Sequence, residues 1–553
     1  MPTEVIGRGL TVWDYSIIVV YGLAVLGIGW WCSRRQTSTE EYFLGGRKMG
    51  WLIVGLSTMA TLVSTITYLT IPGEIIKNGP GVLWSHVSVF AAFFVVGYLI
   101  IPRIMAHNIV SGYELLERQF GNGIRQAAAV LFLLIRLAWA GLVVYTCSIA
   151  LTAMTGWPLE YILLGVGIVT TIYTVMGGIR AVLITDATQA VILFGGAILV
   201  VLFAMHDSHS VIGWWPNLSD SGTSVMLNWP HVPAFPTALS QRITISSVIL
   251  MYFIWWVATA SSDQMAIQRY LSTKNAATAR KSFLTNAVAN TLLGGMLALA
   301  GFALLGYFFK HLHLIPSLQS LNPNVGAQEL QVWAGLSAHE QQFYTLTQNA
   351  DKVFPWFIAH VLPPGISGLL LAALFSAAMS SISSGVNSIT TVLIVDFEKL
   401  VARGLDQAAK LARAKALGIV VGAMIIAISF LQRLIQGNFM EIAQKINLFF
   451  VAPLAGLFFM AFFMKRTNKQ GAWASIVVGI LVGVFVAYYA EIYHWLTGKD
   501  GYISFTYTLP FSLGASLLIG YLVSLAFPPP EGCVADSLTL VDKKERASPE
   551  PGA

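Results

Sequence analysis

The chain has 553 residues, of which 56% are hydrophobic and 10% are charged, and its formal net charge is +6. Soluble domains carry about 25% charged residues, so this composition excludes a soluble fold and predicts an integral membrane protein. No basic run alternates with aromatic residues, which argues against a nucleic-acid partner. The three cysteines, Cys32, Cys147 and Cys533, have the spacing of neither a metal site nor a disulfide framework.

Long apolar segments predict an all-α membrane protein that crosses the cell membrane many times. A helix needs roughly 20 apolar residues to cross about 30 Å of hydrocarbon. By that measure there are about 13 transmembrane helices, near 13–33, 50–72, 83–102, 126–154, 158–176, 184–205, 244–262, 284–309, 366–394, 413–431, 440–464, 471–494 and 505–527.

The distribution of Lys and Arg predicts the orientation of these spans. With the N-terminus outside and the C-terminus inside, the cytoplasmic segments hold 23 of the 32 Lys and Arg residues. Cytoplasmic loops of membrane proteins are enriched in these residues, so this orientation is favoured over its inverse.

The ninth span contains the polar stretch SAAMSSISSGVNS, residues 376–388. Helical spacing places its side chains in one broad stripe, formed by Ser376, Ser380, Ser383 and Asn387 and, one residue on, by Ala377, Ser381, Ser384 and Ser388. One interpretation is close packing of membrane helices, with hydrogen bonds between them. The other is a cation site, in which serine oxygens and carbonyls of a broken neighbouring helix replace the hydration shell of Na⁺.

Two other spans contain weak points that predict broken helices. The second span contains STMATLVSTIT, residues 57–67, in which stiff Thr and Val side chains disfavour a regular helix. The seventh contains YFIWWVATASSDQ, residues 252–264. The seventh span comes five spans after the second, an odd number, so the two enter the membrane from opposite sides. An inverted repeat of five plus five helices requires that arrangement.

The predicted organisation follows from these spans. It consists of a first span and cytoplasmic loop (1–49), a first five-helix repeat (50–206), an outer loop (207–243), a second five-helix repeat (244–464) with an outer loop at 310–365, two further spans (465–527) and a disordered cytoplasmic tail (528–553).

Five sequence blocks carry a resemblance to a known family. They are EEYFLGGRKMGW, STMATLVST, VMGGIRAVLITDATQAVI, SSDQMAIQRYLSTKN and LAALFSAAMSSISSGVNS. From about residue 13 to 465 the chain resembles the sodium:solute symporter family. The resemblance implies the leucine-transporter fold and a coupling stoichiometry of one or two Na⁺ per solute.

The resemblance also implies the residues that bind sodium. The main site would use oxygens of Ala60, Val63, Ala377, Ser380 and Ser381, the last two through their hydroxyls. A second sodium would be bound by Asp186 with Ser380, Ser383 and Ser384. The alternative for Asp186 is an interfacial carboxylate that is solvated or paired with Arg180.

Arg136 lies inside the fourth span, where an arginine costs on the order of 3 kcal/mol. Its guanidinium could bind a substrate carboxylate, or it could pair internally with loop carbonyls or an acid. Some sialic-acid carriers of the family place an arginine in this helix, which favours an organic anion. Family position adds Ser64, Thr67, His86 and Trp255 as candidate substrate-binding residues, and it suggests gate or structural contacts for Gln268 and Arg269.

The expected function is therefore sodium-coupled import of a small organic solute, an organic anion such as a monocarboxylate or an acidic sugar of the sialic-acid type. The alternatives are a symporter of neutral sugars and a membrane sensor derived from a transporter; the short tail disfavours the sensor. No catalytic motif is present, so an enzyme is not expected. The expected partners are the solute, sodium ions and the lipid bilayer, with no obligate protein partner.

Overall fold

A computed structural model describes residues 10–34, 36, 38–209, 232–311, 314, 344–402, 404–432 and 439–529. Most of the predicted tail and large parts of the two predicted outer loops lie outside these ranges. Within them, regular structure is helical apart from one isolated bridge between Met49 and Thr273.

The α-helices, in chain order, are Val12–Ser33, Thr39–Leu44, Trp51–Leu62, Thr65–Asn78, Ser85–Val95, Ile101–Met105, Glu114–Phe120, Asn122–Thr155, Leu159–Asp207, Ile245–Ser262, Gln264–Leu271, Ala276–Lys310, Ala350–His360, Ile366–Asp396, Glu398–Val401, Gln407–Leu431, Phe439–Phe463, Lys469–Ala487, Tyr489–Thr497 and Thr508–Leu525. Ten helical segments of the described chain are long and apolar enough to cross a membrane, or eleven with one bent pair counted as a span.

Leu159–Asp207 covers two of the predicted spans. Its 49 residues would extend about 74 Å at 1.5 Å per residue, more than twice the thickness of the hydrocarbon layer. Gly178 interrupts it with φ 56° and ψ −160°. That backbone conformation favours glycine, and a Cβ atom there would also lie 2.6 Å from the carbonyl oxygen of Tyr42.

The second predicted span is broken, as its sequence predicts. Its halves, Trp51–Leu62 and Thr65–Asn78, meet at an angle of 65° and are called here the broken span. Val63 leaves helical geometry with φ −86° and ψ 89°, and Ser64 is extended. The weak point in the seventh span is also a break, because Ile245–Ser262 ends at Asp263 and Gln264–Leu271 begins a new helix.

Ile366–Asp396, called here the serine helix, runs through the centre of the molecule. In its most apolar stretch of 18 residues, 83% is buried inside the protein, whereas the corresponding value for Val12–Ser33 is 22%. It packs against the broken span, Asn122–Thr155 and Leu159–Asp207. Its polar stripe therefore faces protein on all sides, and its hydroxyl groups must find partners there.

Candidate sodium and solute sites

The first candidate site lies where the broken span meets the serine helix. Val63 N–H donates to the carbonyl of Met59, and the helical hydrogen-bond pattern then stops. The next carbonyls accept from serine hydroxyls: Ser380 Oγ donates to Ala60 O at 2.8 Å, and Ser381 Oγ donates to Thr61 O at 3.1 Å. The carbonyl end of a helix carries partial negative charge, so this point favours a cation.

Four of the five residues predicted for the main sodium site come together here. The carbonyl of Ala377 lies 3.2 Å from Ser380 Oγ and 3.3 Å from Ser381 Oγ. The fifth residue, Val63, is buried at the break itself and lines the adjoining cavity. Thr61, whose carbonyl faces Ser381, was not predicted, although it lies next to Ala60 at the end of the same half-helix.

A second polar cluster surrounds the fully buried Asp186. Its Oδ2 atom accepts from Ser57 Oγ at 2.7 Å, Thr61 Oγ1 at 3.1 Å and Arg269 Nη2 at 3.0 Å. Its Oδ1 atom faces Ser383 Oγ at 3.5 Å. The alternative pairing of Asp186 with Arg180 is wrong. The Arg180 guanidinium instead lies 5.9 Å from the centre of the Trp31 ring.

Arg269 occupies the opposite side of this cluster from Ser383. Its Nη2 atom lies 2.5 Å from Ser384 Oγ and 2.6 Å from Thr61 Oγ1, and Nε donates to Ser57 Oγ at 3.2 Å. Ser383 and Ser384, two of the three serines predicted for a second sodium, therefore lie in different environments. Ser384 contacts the guanidinium, and Ser383 faces the other carboxylate oxygen.

Arg136 forms an ion pair with Asp263, at the break in the seventh predicted span. Both residues are more than nine-tenths buried. Asp263 also caps the helix Gln264–Leu271, because its Oδ1 atom accepts from the N–H of Met265 at 2.9 Å. Of the two uses considered for Arg136, internal pairing with an acid is the one observed. Its Nε atom has no hydrogen-bond partner among the described residues.

A cavity of about 170 Å³ lies beside the break, on the side of Thr65–Asn78. Thr67, His86 and Trp255 line it, as predicted for a substrate pocket. Ser64 and Arg136 are not among its lining residues. Ser64 is fully buried next to it, and its hydroxyl has no partner within the described part of the chain.

Other polar and aromatic lining residues were missed by sequence reasoning, among them Thr70, Glu74, Trp139, Tyr252 and Asn290. Glu74 is held by a two-pronged ion pair, in which Arg242 Nη1 and Nη2 donate to its carboxylate at 2.7 and 3.0 Å. The His86 ring packs against Gly294, where a Cβ atom would lie 2.1 Å from Nε2. The cavity thus combines aromatic faces with hydrogen-bonding groups and one neutralised carboxylate.

Comparison with known proteins identifies the family to which this arrangement belongs. The model of the sodium:solute symporter family matches residues 42–479, which is most of the chain. The chain belongs to the sodium:solute symporter family. It is an integral, multi-pass membrane protein, and sodium is its coupling ion.

Individual relatives and solved structures agree with this assignment. The sodium/sialic acid symporter NanT of Aliivibrio fischeri is 27% identical, over 88% of this chain and 90% of its own length. Sodium-coupled monocarboxylate transporter 2 of Mus musculus is 26% identical, over 88% of this chain and 74% of its own length. A Na⁺-coupled sialic acid symporter in a substrate-bound outward-open state has the same fold, with a TM-score of 0.78, 24% identity and coverage of 94% and 99% of the two chains.

The transporter Mhp1, from another family, shares the fold more distantly. Its closed conformation matches with a TM-score of 0.52 and 13% identity, over 90% of this symporter and 97% of Mhp1. The helical fold expected from the resemblance is therefore confirmed at the level of overall architecture.

Proposed function

We propose that this symporter imports a small organic anion, a monocarboxylate or an acidic sugar of the sialic-acid type, together with sodium. The observation that carries the coupling is the contact between the Ser380 and Ser381 hydroxyls and the carbonyls at the break. The choice of an anion is supported by the solutes named for the two relatives.

The main sodium ion would be bound by oxygens of Ala60, Val63, Ala377, Ser380 and Ser381. Such an ion would hold the broken span against the serine helix while the solute occupies the cavity beside Thr67. A rocking motion that opens the inner side would separate the two helices and release the ion. Each net positive charge that crosses 100 mV supplies about 2.3 kcal/mol, which is roughly fortyfold accumulation of solute. The negative charge of a monovalent anion offsets that of one sodium ion.

A second sodium ion would be bound on the Oδ1 side of Asp186, by that oxygen with Ser380 and Ser383. The Oδ2 side, where Ser384 lies, already holds the positive charge of Arg269. Two cations sharing that side would repel each other at short range. The proposed stoichiometry is therefore two sodium ions per solute, with Ser384 positioning Arg269 rather than binding the ion.

For the membrane topology we propose 13 crossings, with the N-terminus outside and two inverted five-helix repeats at 50–206 and 244–464. Leu159–Asp207 would supply two crossings, divided at Gly178, and Phe439–Phe463 would supply one. The excess of Lys and Arg in the segments assigned to the cytoplasm supports this orientation.

A neutral sugar is the second candidate solute, and one observation favours it. Arg136 already pairs with Asp263 and is not among the residues that line the cavity. The lining groups Trp255, Asn290 and His86 could stack on a sugar ring and hydrogen-bond to its hydroxyls. No lysine or arginine lines this cavity among the described residues, so a carboxylate would lack a cationic partner there.

Uptake by the purified chain in proteoliposomes separates these candidates. Labelled pyruvate, sialic acid and glucose would each be presented with an inward gradient of Na⁺ or of K⁺. We expect Na⁺-dependent uptake of pyruvate or sialic acid and none of glucose. Uptake of glucose alone would select the neutral sugar. Absence of uptake for a wider solute panel would favour the sensor.

A further inference from the structure

An open pocket of about 520 Å³ lies at the start of the broken span and shares no lining residue with the cavity beside the break. It is formed by residues 48–51 and by residues between 274 and 281, which include the first turns of the helix Ala276–Lys310. The backbone joins these segments, because Met49 N–H donates to Ser272 O at 3.0 Å and Met49 forms a bridge with Thr273. The pocket is therefore a fixed feature of the fold.

Three lysines, Lys48, Lys274 and Lys281, line this pocket, and all three side chains are exposed. Within the described ranges no carboxylate forms an ion pair with any of them. The neighbouring Arg47, by contrast, pairs with Glu40 at 3.1 Å. Three like charges around one space repel one another, and a bound anion would relieve that repulsion.

The backbone adds to this positive potential. Trp51 begins a 12-residue helix whose N-cap residue, Gly50, has no side chain to accept a hydrogen bond. Nothing lies within 4 Å of the position that a Gly50 Cβ atom would occupy, so this end of the helix is open. The first N–H groups of a helix, together with its dipole, bind phosphate groups readily.

The position of the pocket indicates where the anion comes from. Trp51, Leu52 and Ile53 are 45%, 50% and 37% exposed, although they begin a membrane-crossing helix. A tryptophan followed by exposed aliphatic residues is typical of the boundary between headgroups and hydrocarbon. Lysine side chains at that depth extend toward the headgroups. The pocket thus opens at the level of lipid phosphates.

We propose that this pocket binds the phosphate of an anionic phospholipid headgroup. Basic pockets between membrane helices bind such headgroups. A lipid bound here would contact both the first half of the broken span and the helix Ala276–Lys310. It would therefore stabilise the arrangement in which these two helices are packed together. The proposal does not depend on the identity of the solute.

Native mass spectrometry of the full chain tests this proposal, with phosphatidylglycerol, phosphatidylcholine and inorganic phosphate as separate probes. We expect one retained phosphatidylglycerol, bound at least tenfold more tightly than phosphatidylcholine. The triple variant Lys48→Gln, Lys274→Gln, Lys281→Gln should lose that preference. The control variant Arg34→Gln, Arg413→Gln, Lys469→Gln removes three exposed charges elsewhere and should keep it.

The thermal stability of each variant without added lipid establishes that it is folded. Equal phosphatidylglycerol binding by the folded triple variant and the wild type would overturn the proposal. So would equal loss of binding in the control variant, because bulk charge would then be the cause. Retention of inorganic phosphate with the same affinity and the same lysine dependence would replace the lipid with a soluble anion.

Discussion

The two carboxylate oxygens of Asp186 have different partners in the polar interior of the protein. One carboxylate oxygen is bonded to Arg269, Ser57 and Thr61, and the other has Ser383 as its side-chain hydrogen-bond partner among the described residues. A buried carboxylate needs a compensating charge, and Arg269 supplies it at 3.0 Å. The two oxygens are thus chemically different, although they belong to one group.

This asymmetry predicts different effects for two adjacent serines. Ser383→Ala should lower the Hill coefficient for sodium from near two toward one, because it removes a ligand on the Oδ1 side. Ser384→Ala should leave the coefficient near two, because it removes a contact of Arg269. Sodium-dependent uptake at fixed solute concentration measures both. The reverse pattern would assign the second ion to the Arg269 side.

At the residue scale, the sequence revealed hydroxyl groups more readily than charge pairs. Helical periodicity alone placed Ser380 and Ser381 together on the serine helix, and the structure brings both to the break. The partners of Asp186 and Arg136 are 83 and 127 residues away in sequence, at Arg269 and Asp263. No local pattern encodes such pairs, although a buried charge signals that a partner must exist.

At the scale of elements, the two breaks arise from different local chemistry. In the broken span, β-branched and hydroxyl residues weaken the helix around Val63, and the serine helix takes up the freed carbonyls. At the second break, Asp263 ends one helix and caps the next. Both weak points were visible in the sequence. The new direction of each half-helix was not, because it is set by packing against distant helices.

The pair of Arg136 and Asp263 holds the second break and should contribute to stability. Removing one partner of a buried ion pair costs about 3–5 kcal/mol, because the other charge is left uncompensated. Arg136→Met and Asp263→Leu should therefore each lower the melting temperature strongly. The double variant should recover part of the loss.

A more exposed ion pair provides the control for the two single variants and the double variant. Lys410 and Glu398 are partly exposed, and pairs of that kind contribute about 0–1 kcal/mol. Lys410→Met should thus leave the melting temperature of the detergent-purified protein almost unchanged. Additive effects of the two Arg136 and Asp263 substitutions would show that the pair is not coupled.

At the scale of the whole molecule, the all-helical fold class predicted from hydropathy is confirmed, whereas the 13 crossings remain a prediction. Ten segments of the described helices are long and apolar enough to cross a membrane, whereas the sequence predicts 13 spans. The difference lies partly in Leu159–Asp207, which counts once although Gly178 interrupts it, and partly in the bent broken span. Helix boundaries reflect hydrogen bonding and not the edges of the membrane, so the two counts need not agree.

Cysteine labelling tests the proposed topology. In a background without Cys32, Cys147 and Cys533, Ala238→Cys and Ala408→Cys would each be exposed to a membrane-impermeant maleimide. Intact cells should label position 238, whereas position 408 should react only after permeabilisation. Labelling of both positions, or only of position 408, in intact cells would contradict the proposed orientation.

Coupled import requires that sodium binds between the broken span and the serine helix. Direct binding of ²²Na⁺ to the purified protein tests this without any knowledge of the solute. Ser388→Ala is the matched control, because that buried hydroxyl bonds only to carbonyls of its own helix among the contacts described. We expect saturable binding in the wild type and in Ser388→Ala. In Ser380→Ala and in Ser381→Ala the affinity for sodium should fall about tenfold or more, which corresponds to about 1.4 kcal/mol. Undiminished binding in both of these folded variants would contradict sodium binding at this position.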